Sequence, residues 1–486
     1  MLPPRLGTVR GMRAAFIALF FALVALSCDG PGDERSAFLE QALFEDNRFL
    51  VERTPDDLAA KFARMATGPY AFMRGTLGLF LRDAANGEAA FGETAFGLSG
   101  ARDVWLVGDP HLENVGTYSD ADERMVLEYN DFDASTFGPF IYDLRRLALS
   151  VEVALLEVGA SVPVRDEALR RTVVGYTRAV ARAAKDDEPA PWVLDTEVLT
   201  DTISVDLIRR ARADGRDAEE LSDYTTFDTD GRRFEFGLVE PAAPEFTVDE
   251  LVPVSTEERQ LVETLLRGYR ERLETPGRFD APAFALLDVA RRLGAGVSSY
   301  PLLRFYALLE GPTDKPRDDW IIELKEVGGA PQIPMVAGAP QRAFASNATR
   351  LVASNRVLHA TRESDPLLAA VDLPPFSFRV RHRTKYQKGF EMERLIEKFD
   401  EKKWNGVHVA EFGARCGELL GRAHAYAPRA DARVKRAALG DALASRVPEL
   451  VGETQAFARR YAARVLEDHA LFVALRAADG PLLGWR

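Results

Sequence analysis

At 486 residues the chain is longer than one simple core needs, and its 47% hydrophobic and 28% charged content is that of a globular protein with a sizeable interior. The formal net charge of -13 excludes a general nucleic-acid-binding surface, though not a local basic patch. Two cysteines, Cys28 and Cys416, exclude a disulfide framework, a zinc site or a cysteine nucleophile argued from pattern.

Arg5, Arg10 and Arg13 precede "AAFIALFFALVALS" (14–27), an apolar run shorter than the roughly 20 residues of a membrane-spanning helix. A basic start, a short apolar middle and small residues before Cys28 describe a secretory signal. The "ALSC" ending resembles the lipobox of bacterial lipoproteins, with Ala25 where that motif prefers leucine. The resemblance implies cleavage, lipidation of Cys28 and anchoring in the bacterial cell envelope through the lipid alone. Read instead as a buried N-terminal helix, the segment would leave the chain cytoplasmic.

Residues 29–44, opening "DGPGDE", read as a flexible linker in the domain division, while helical spacing is legible over 36–85, with Thr54 as an N-cap. The period then changes. "DVWLVGD" and "RMVLEYND" are short apolar runs ending in acidic turns, the pattern of strands feeding functional loops. Helical spacing dominates from Gly138 to about Arg292, with 213–235 as a loop or insertion. Residues 293–330 turn glycine-rich and β-prone, a helix follows over 342–361, "FSFRVRHR" reads as a strand, and helices close the chain. Segregated helical and β segments make this an α+β protein rather than a regular βαβ alternation. Cys416, in an apolar helical pattern, reads as a small core residue.

The acidic turns carry the chemistry. Asp109 followed by Asn114 has the spacing of the kinase catalytic loop H-R-D-L-x-x-x-N, in which the aspartate accepts a hydroxyl proton and the asparagine oxygen holds magnesium. Asp131 is placed like the metal aspartate of D-F-G, in a triplet Asp131-Phe132-Asp133, and Asp133 is a further metal candidate. Magnesium suits such oxygen donors because it takes one or two carboxylates beside water and phosphate. His111 is a candidate catalytic-loop residue, more suited to orienting neighbours than to ligating metal. Gly294 and Gly296 form a G-x-G turn through which backbone N–H groups can approach phosphates. Lys325, ending "WIIELK", is placed to reach a nucleotide's α- and β-phosphates. Arg379, Arg381 and Arg383 share one face of their strand, either an anion-binding face or a solvated edge guarded by charge.

"RMATGPYAFMRG", "GDPHLENVG", "YNDFDASTFGPFIYDLRRLALS" and "GELLGRAHA" together resemble the bacterial family catalogued as domain of unknown function 2252, over roughly residues 45–430. That family is grouped with protein-kinase-like folds, and its acidic loops look like those of aminoglycoside phosphotransferases, H-G-D-x-H-x-x-N, then I-D, then Y-D-L. The resemblance implies Asp109 as catalytic aspartate, Asn114 and Asp131 as metal ligands, Asp143 as a structural aspartate, and Mg2+ and ATP as cofactors. Val107 stands where that pattern has histidine. The glycine turn and lysine follow the catalytic loop instead of preceding it, which implies a circularly permuted, two-lobed kinase-like fold. Its expected parts are a signal (1–28), the linker (29–44), a helix-rich lobe with the catalytic and metal loops (45–292), a smaller antiparallel β lobe for nucleotide (293–395), and helices packing on the helical lobe (396–486). The expected activity is transfer of a phosphoryl group to an unidentified hydroxyl-bearing acceptor. The alternatives are metal-dependent phosphoester hydrolysis or nucleotidyl transfer, or a catalytically silent ligand- or partner-binding module.

Overall fold

The computed structural model describes residues 31–485 apart from 97–102, 121, 123, 186–190, 215–220, 222, 230, 237–249, 274–283, 294–296, 298–299, 312, 314, 316–317, 330–343, 362–364, 384–385 and 428–431. Cys28, Gly294 and Gly296 lie outside the described residues, as does the signal segment.

Four helices come first: α1 (Pro31–Arg53), α2 (Pro55–Met65), α3 (Pro69–Gly75) and α4 (Leu77–Asn86). Residues 31–44 are therefore helical rather than a linker. Local composition disfavours a helix at "PGDE", but Arg35 is anchored by two buried carboxylates, Asp83 and Asp468, and tertiary contact overrides propensity.

The next section is compact and irregular. It runs β1 (Asp103–Leu106), a 3-10 turn (Leu112–Asn114), β2 (Val115–Ser119), β3 (Met125–Tyr129) and β4 (Thr136–Pro139). β1 pairs with β4, and β2 with β3, both antiparallel. Three helices follow: α5 (Phe140–Glu157), buried on nearly every side, α6 (Val162–Lys185) and α7 (Thr202–Asp214).

The chain then builds a six-stranded antiparallel sheet. A short hairpin of β5 (Thr225–Asp228) and β6 (Gly231–Phe234) precedes β7 (Glu250–Pro253), α8 (Thr256–Leu266), β8 (Leu286–Leu293), β9 (Arg304–Leu309) and β10 (Trp320–Glu326). α9 (Asn347–Leu358) crosses before β11 (Ala369–Leu373) and β12 (Phe376–His382). The strand order is β11-β12-β10-β9-β8-β7, so β8, β9 and β10 form a meander and β12 returns beside β10. The expected boundary at 292/293 is corrected, because β7 and β8 precede it and belong to this sheet. "LLDVARRL" has apolar residues at helix-like spacing, and a short buried strand cannot be told from a helix by period alone.

β13 (Lys388–Gly389) leaves this unit and pairs with β2. α10 (Met392–Asp400), α11 (Gly406–Tyr426), α12 (Ala432–Ala444) and α13 (Val447–Asp479) complete the order. α11 lies against α6 at backbone contact: a Cβ on Gly417 would sit 2.1 Å from the Thr172 carbonyl oxygen. The largest apolar cluster joins the helices to β1–β4, while a separate one holds Val289, Phe305, Ile322, Leu324, Phe378 and Val380 against Val262 and Leu265 of α8. Among the described residues no helix is long and apolar enough to cross a membrane.

Candidate active site

The loop after β1 is held from behind. Asp143, in the first turn of α5, accepts hydrogen bonds from the Val107 N–H (2.7 Å) and the Gly108 N–H (3.1 Å). A helix N-terminus favours a carboxylate there. Gly108 has φ +98°, and a Cβ would lie 2.1 Å from the Ala134 carbonyl oxygen, so only glycine permits this turn. The Oδ2 that accepts from Val107 also meets His424 of α11, whose Nε2 is 3.0 Å away. His424 Nδ1 in turn lies 3.1 Å from the Tyr176 hydroxyl. The loop has a valine at 107, and the imidazole that supports it comes from α11.

Asp109 is clasped by Arg146, Nε to Oδ1 at 2.7 Å, and the same guanidinium donates to the Met73 carbonyl of α3 at 2.7 Å. Burial pushes the Asp109 carboxyl up, against the opposing pull of Arg146. Asn114 donates its amide N–H to the Asp109 carbonyl (2.8 Å), which fixes the side chain and leaves Oδ1 as its acceptor. Glu113 pairs with Arg74 of α3 and accepts from the Met392 N–H (2.7 Å) at the start of α10. His111 is buried, its Nδ1 has no hydrogen-bond partner, and burial followed by Arg74 and Arg146 holds its pKa well below the ordinary value. It is a neutral ring, suited to positioning.

Across from this loop stands the second acidic turn. Lys325 Nζ, on β10, lies 2.6 Å from Asp133 Oδ2 and 3.5 Å from Asp131 Oδ2. Burial raises the Asp131 carboxyl, but Lys325, the Asp133 N–H (3.0 Å) and Arg379 outweigh it and hold it far below the usual range. Burial and the charge of Asp131 push Asp133 upward. Asp133 Oδ1 is buried without a hydrogen-bond partner. The turn is fixed from α9, where Arg350 donates to the carbonyls of Ser135 (2.6 Å) and Asp133 (2.7 Å). Phe132 is buried between the two aspartates, its ring edge-on to His359 at 5.2 Å.

The two loops are close enough for the charges of Asp109 and Asp131 to act on one another. Asp109, Asn114, Asp131, Asp133 and Lys325 therefore share one neighbourhood, with Asp143 behind it. Arg74, Arg146, Arg350 and His424, absent from the sequence-based set, hold these groups in place. Arg146 lies two residues after the "YDL" motif and His424 lies within "GRAHA", but nothing in their spacing names a partner. The solvated-edge reading of 379–383 is corrected: β12 is an interior strand, and Arg379 is buried against Glu323.

Among the described residues no group of three or more His, Cys, Asp and Glu side chains is arranged to hold a metal alone. A cation here would draw part of its coordination from a bound phosphate, as magnesium ordinarily does.

A family model described as "Uncharacterized protein conserved in bacteria (DUF2252)" matches residues 53–475, a span containing every described residue of this cluster. The chain belongs to that family. No curated protein and no solved structure matches it.

Proposed function

We propose that this member of the DUF2252 family is a kinase-like phosphotransferase that uses Mg2+ and ATP to phosphorylate a hydroxyl-bearing acceptor. The observation that carries the reading is the meeting of Lys325 with Asp131 and Asp133, two stretches 194 and 192 positions apart, beside the Asp109–Asn114 loop. Lys325 is the penultimate residue of β10, the third strand of the β8–β9–β10 meander, and α9 follows it. Kinases likewise place their phosphate-binding lysine on a third strand ahead of a helix. Gly294 and Gly296 fall between β8 and β9 in sequence, the place of a kinase's glycine loop. On this reading the sheet unit and helical body are the two lobes of a kinase, joined in permuted chain order. α9 contains no carboxylate to pair with Lys325, and Asp133 supplies that partner.

Asp131 and Asn114 would hold the magnesium ion, and the orphaned Oδ1 of Asp133 provides a further acceptor. When bound, the ion neutralises charge on the terminal phosphates. Lys325 binds the phosphate chain as a point charge. Asp109 accepts the proton of the acceptor hydroxyl as its oxygen bonds to the terminal phosphorus; the bond from that phosphorus to the bridging oxygen breaks, leaving the nucleoside diphosphate. Arg146 fixes the carboxylate for that step and moderates its basicity. The "ALSC" segment supports placing the protein, by its lipid, on the bacterial cell envelope.

The test is turnover of γ-labelled ATP by wild type, Asp109→Asn and Asp131→Asn. The reading expects label to leave ATP with wild type and at least about a hundredfold less with either variant. Equal turnover by all three refutes it.

A further inference from the structure

Side chains alternate across a strand, so Lys325 and Glu323 share one face of β10. The register sets Arg304 of β9 and Arg379 of β12 beside Lys325, and Tyr306 and Arg381 beside Glu323. The side chains flanking Lys325 on that face within the strands, Glu323, Arg304 and Arg379, are charged; Val327, two residues on, is apolar but already packed into the main core. Arg379 and Arg381 converge on the one carboxylate of Glu323, Arg381 Nε at 3.1 Å, with Arg304 Nη1 at 3.4 Å from its other oxygen. This face meets the acidic turn, since Lys325 touches Asp131 and Asp133 and the charge of Arg379 acts on both. Further along, the same face turns apolar at Leu308 and Ile321, but Leu221, Phe234 and Leu251 already pack there.

A flat heteroaromatic base is normally held between apolar or aromatic surfaces. Across from Lys325 the neighbouring strands offer ions instead, Arg304 and Arg379. Guanidinium forks at close spacing suit a chain of phosphate oxygens. We infer that the donor is recognised through its phosphate chain and not through its base, so that any nucleoside triphosphate, or an inorganic polyphosphate, is accepted alike. This rests on the phosphotransferase reading of the same site. The crowding is visible in Arg379, whose pKa is lowered to about 10 by burial and then by Arg381. An incoming polyanion relieves that repulsion.

The experiment is isothermal titration of the full chain, in Mg2+, with tripolyphosphate, a longer inorganic polyphosphate, ATP, GTP, CTP and adenosine. The expected result is binding of the four triphosphates within about threefold of one another and none of adenosine. Arg381→Gln should weaken all four by about tenfold when measured well below the melting temperature of the variant, and Arg381→Lys by less, because the charge is kept without the fork. Tighter binding of longer inorganic chains points to polyphosphate as the source; equal binding points to nucleoside triphosphates. ATP binding about tenfold tighter than tripolyphosphate, GTP and CTP overturns the inference and leaves the phosphotransferase reading intact. Failure of every ligand to bind overturns both.

Discussion

His424 Nε2 and Asp143 Oδ2 meet at 3.0 Å across 281 residues of sequence, and both side chains are essentially inaccessible to solvent. Through Asp143 the contact reaches the backbone of Val107 and Gly108, and so the start of the loop that carries Asp109. A C-terminal helix thus sets the position of a loop made in the first third of the chain.

His424→Ala leaves a cavity and removes a partner from a buried carboxylate, so it should cost about 2–4 kcal/mol of unfolding free energy. Asp143→Asn should cost a similar amount. The double variant should cost clearly less than the two losses added, because one network is broken once. Denaturant unfolding of the four proteins checks this; simple additivity would show that the two residues act independently.

Arg35 of α1 binds Asp83 at 2.7 Å and Asp468 at 2.8 Å, all three side chains being buried. Arg35→Leu strands two neighbouring carboxylates and should destabilise by about 3–5 kcal/mol. Adding Asp83→Asn and Asp468→Asn to that variant should restore part of the loss. No rescue would place the cost in packing rather than charge.

Glu157 gives a pH signature. Burial lifts its carboxyl to about 7, although the Tyr70 N–H donates to it at 2.6 Å. A folded-state value above the unfolded one means that the folded protein prefers the protonated form. Stability attributed to this group is intact below the unfolded value of about 4.5 and falls as pH rises toward 7, by about 3 kcal/mol. Glu157→Gln should therefore gain on wild type progressively from about pH 4.5 to 7, read as the difference in melting temperature. A constant difference across that range contradicts the assignment.

Gly108→Ala should be poorly tolerated for two separate reasons, its φ of +98° and the Ala134 carbonyl oxygen 2.1 Å from the added carbon. About 2–4 kcal/mol of stability should be lost, with displacement of the Asp109 loop. Near-wild-type stability would mean that the turn has another conformation open to it.

Asp109, Asn114, Asp131 and Asp133 could be picked out because each lies in a turn whose own short sequence gathers oxygen donors, and Asp143 because it opens the helix that follows. Lys325 was legible as the end of an apolar strand run, but not Asp133 as its nearest partner, since one strand says nothing of what faces it. Arg74, Arg146, Arg350 and His424 act from helices that packing alone brings to the loops. Only the start of α1 was missed, because its stability comes from Arg35 and not from "PGDE". β8 was missed because its apolar residues fall at helical intervals. The arginines of β12 left a guarded edge open as one reading because the sequence does not show that β12 lies between β10 and β11.

The most direct test of the central claim is thermal stabilisation by nucleotide and metal in wild type and Asp131→Asn. If Asp131, Asn114 and Lys325 form one site for a metal-bound phosphate chain, ATP with Mg2+ should raise the melting temperature of wild type by several degrees, about the effect of 1–3 kcal/mol of ligand binding. Each added alone should do little, and Asp131→Asn should abolish the joint effect. An equal rise in the variant, or no rise in wild type, contradicts the account.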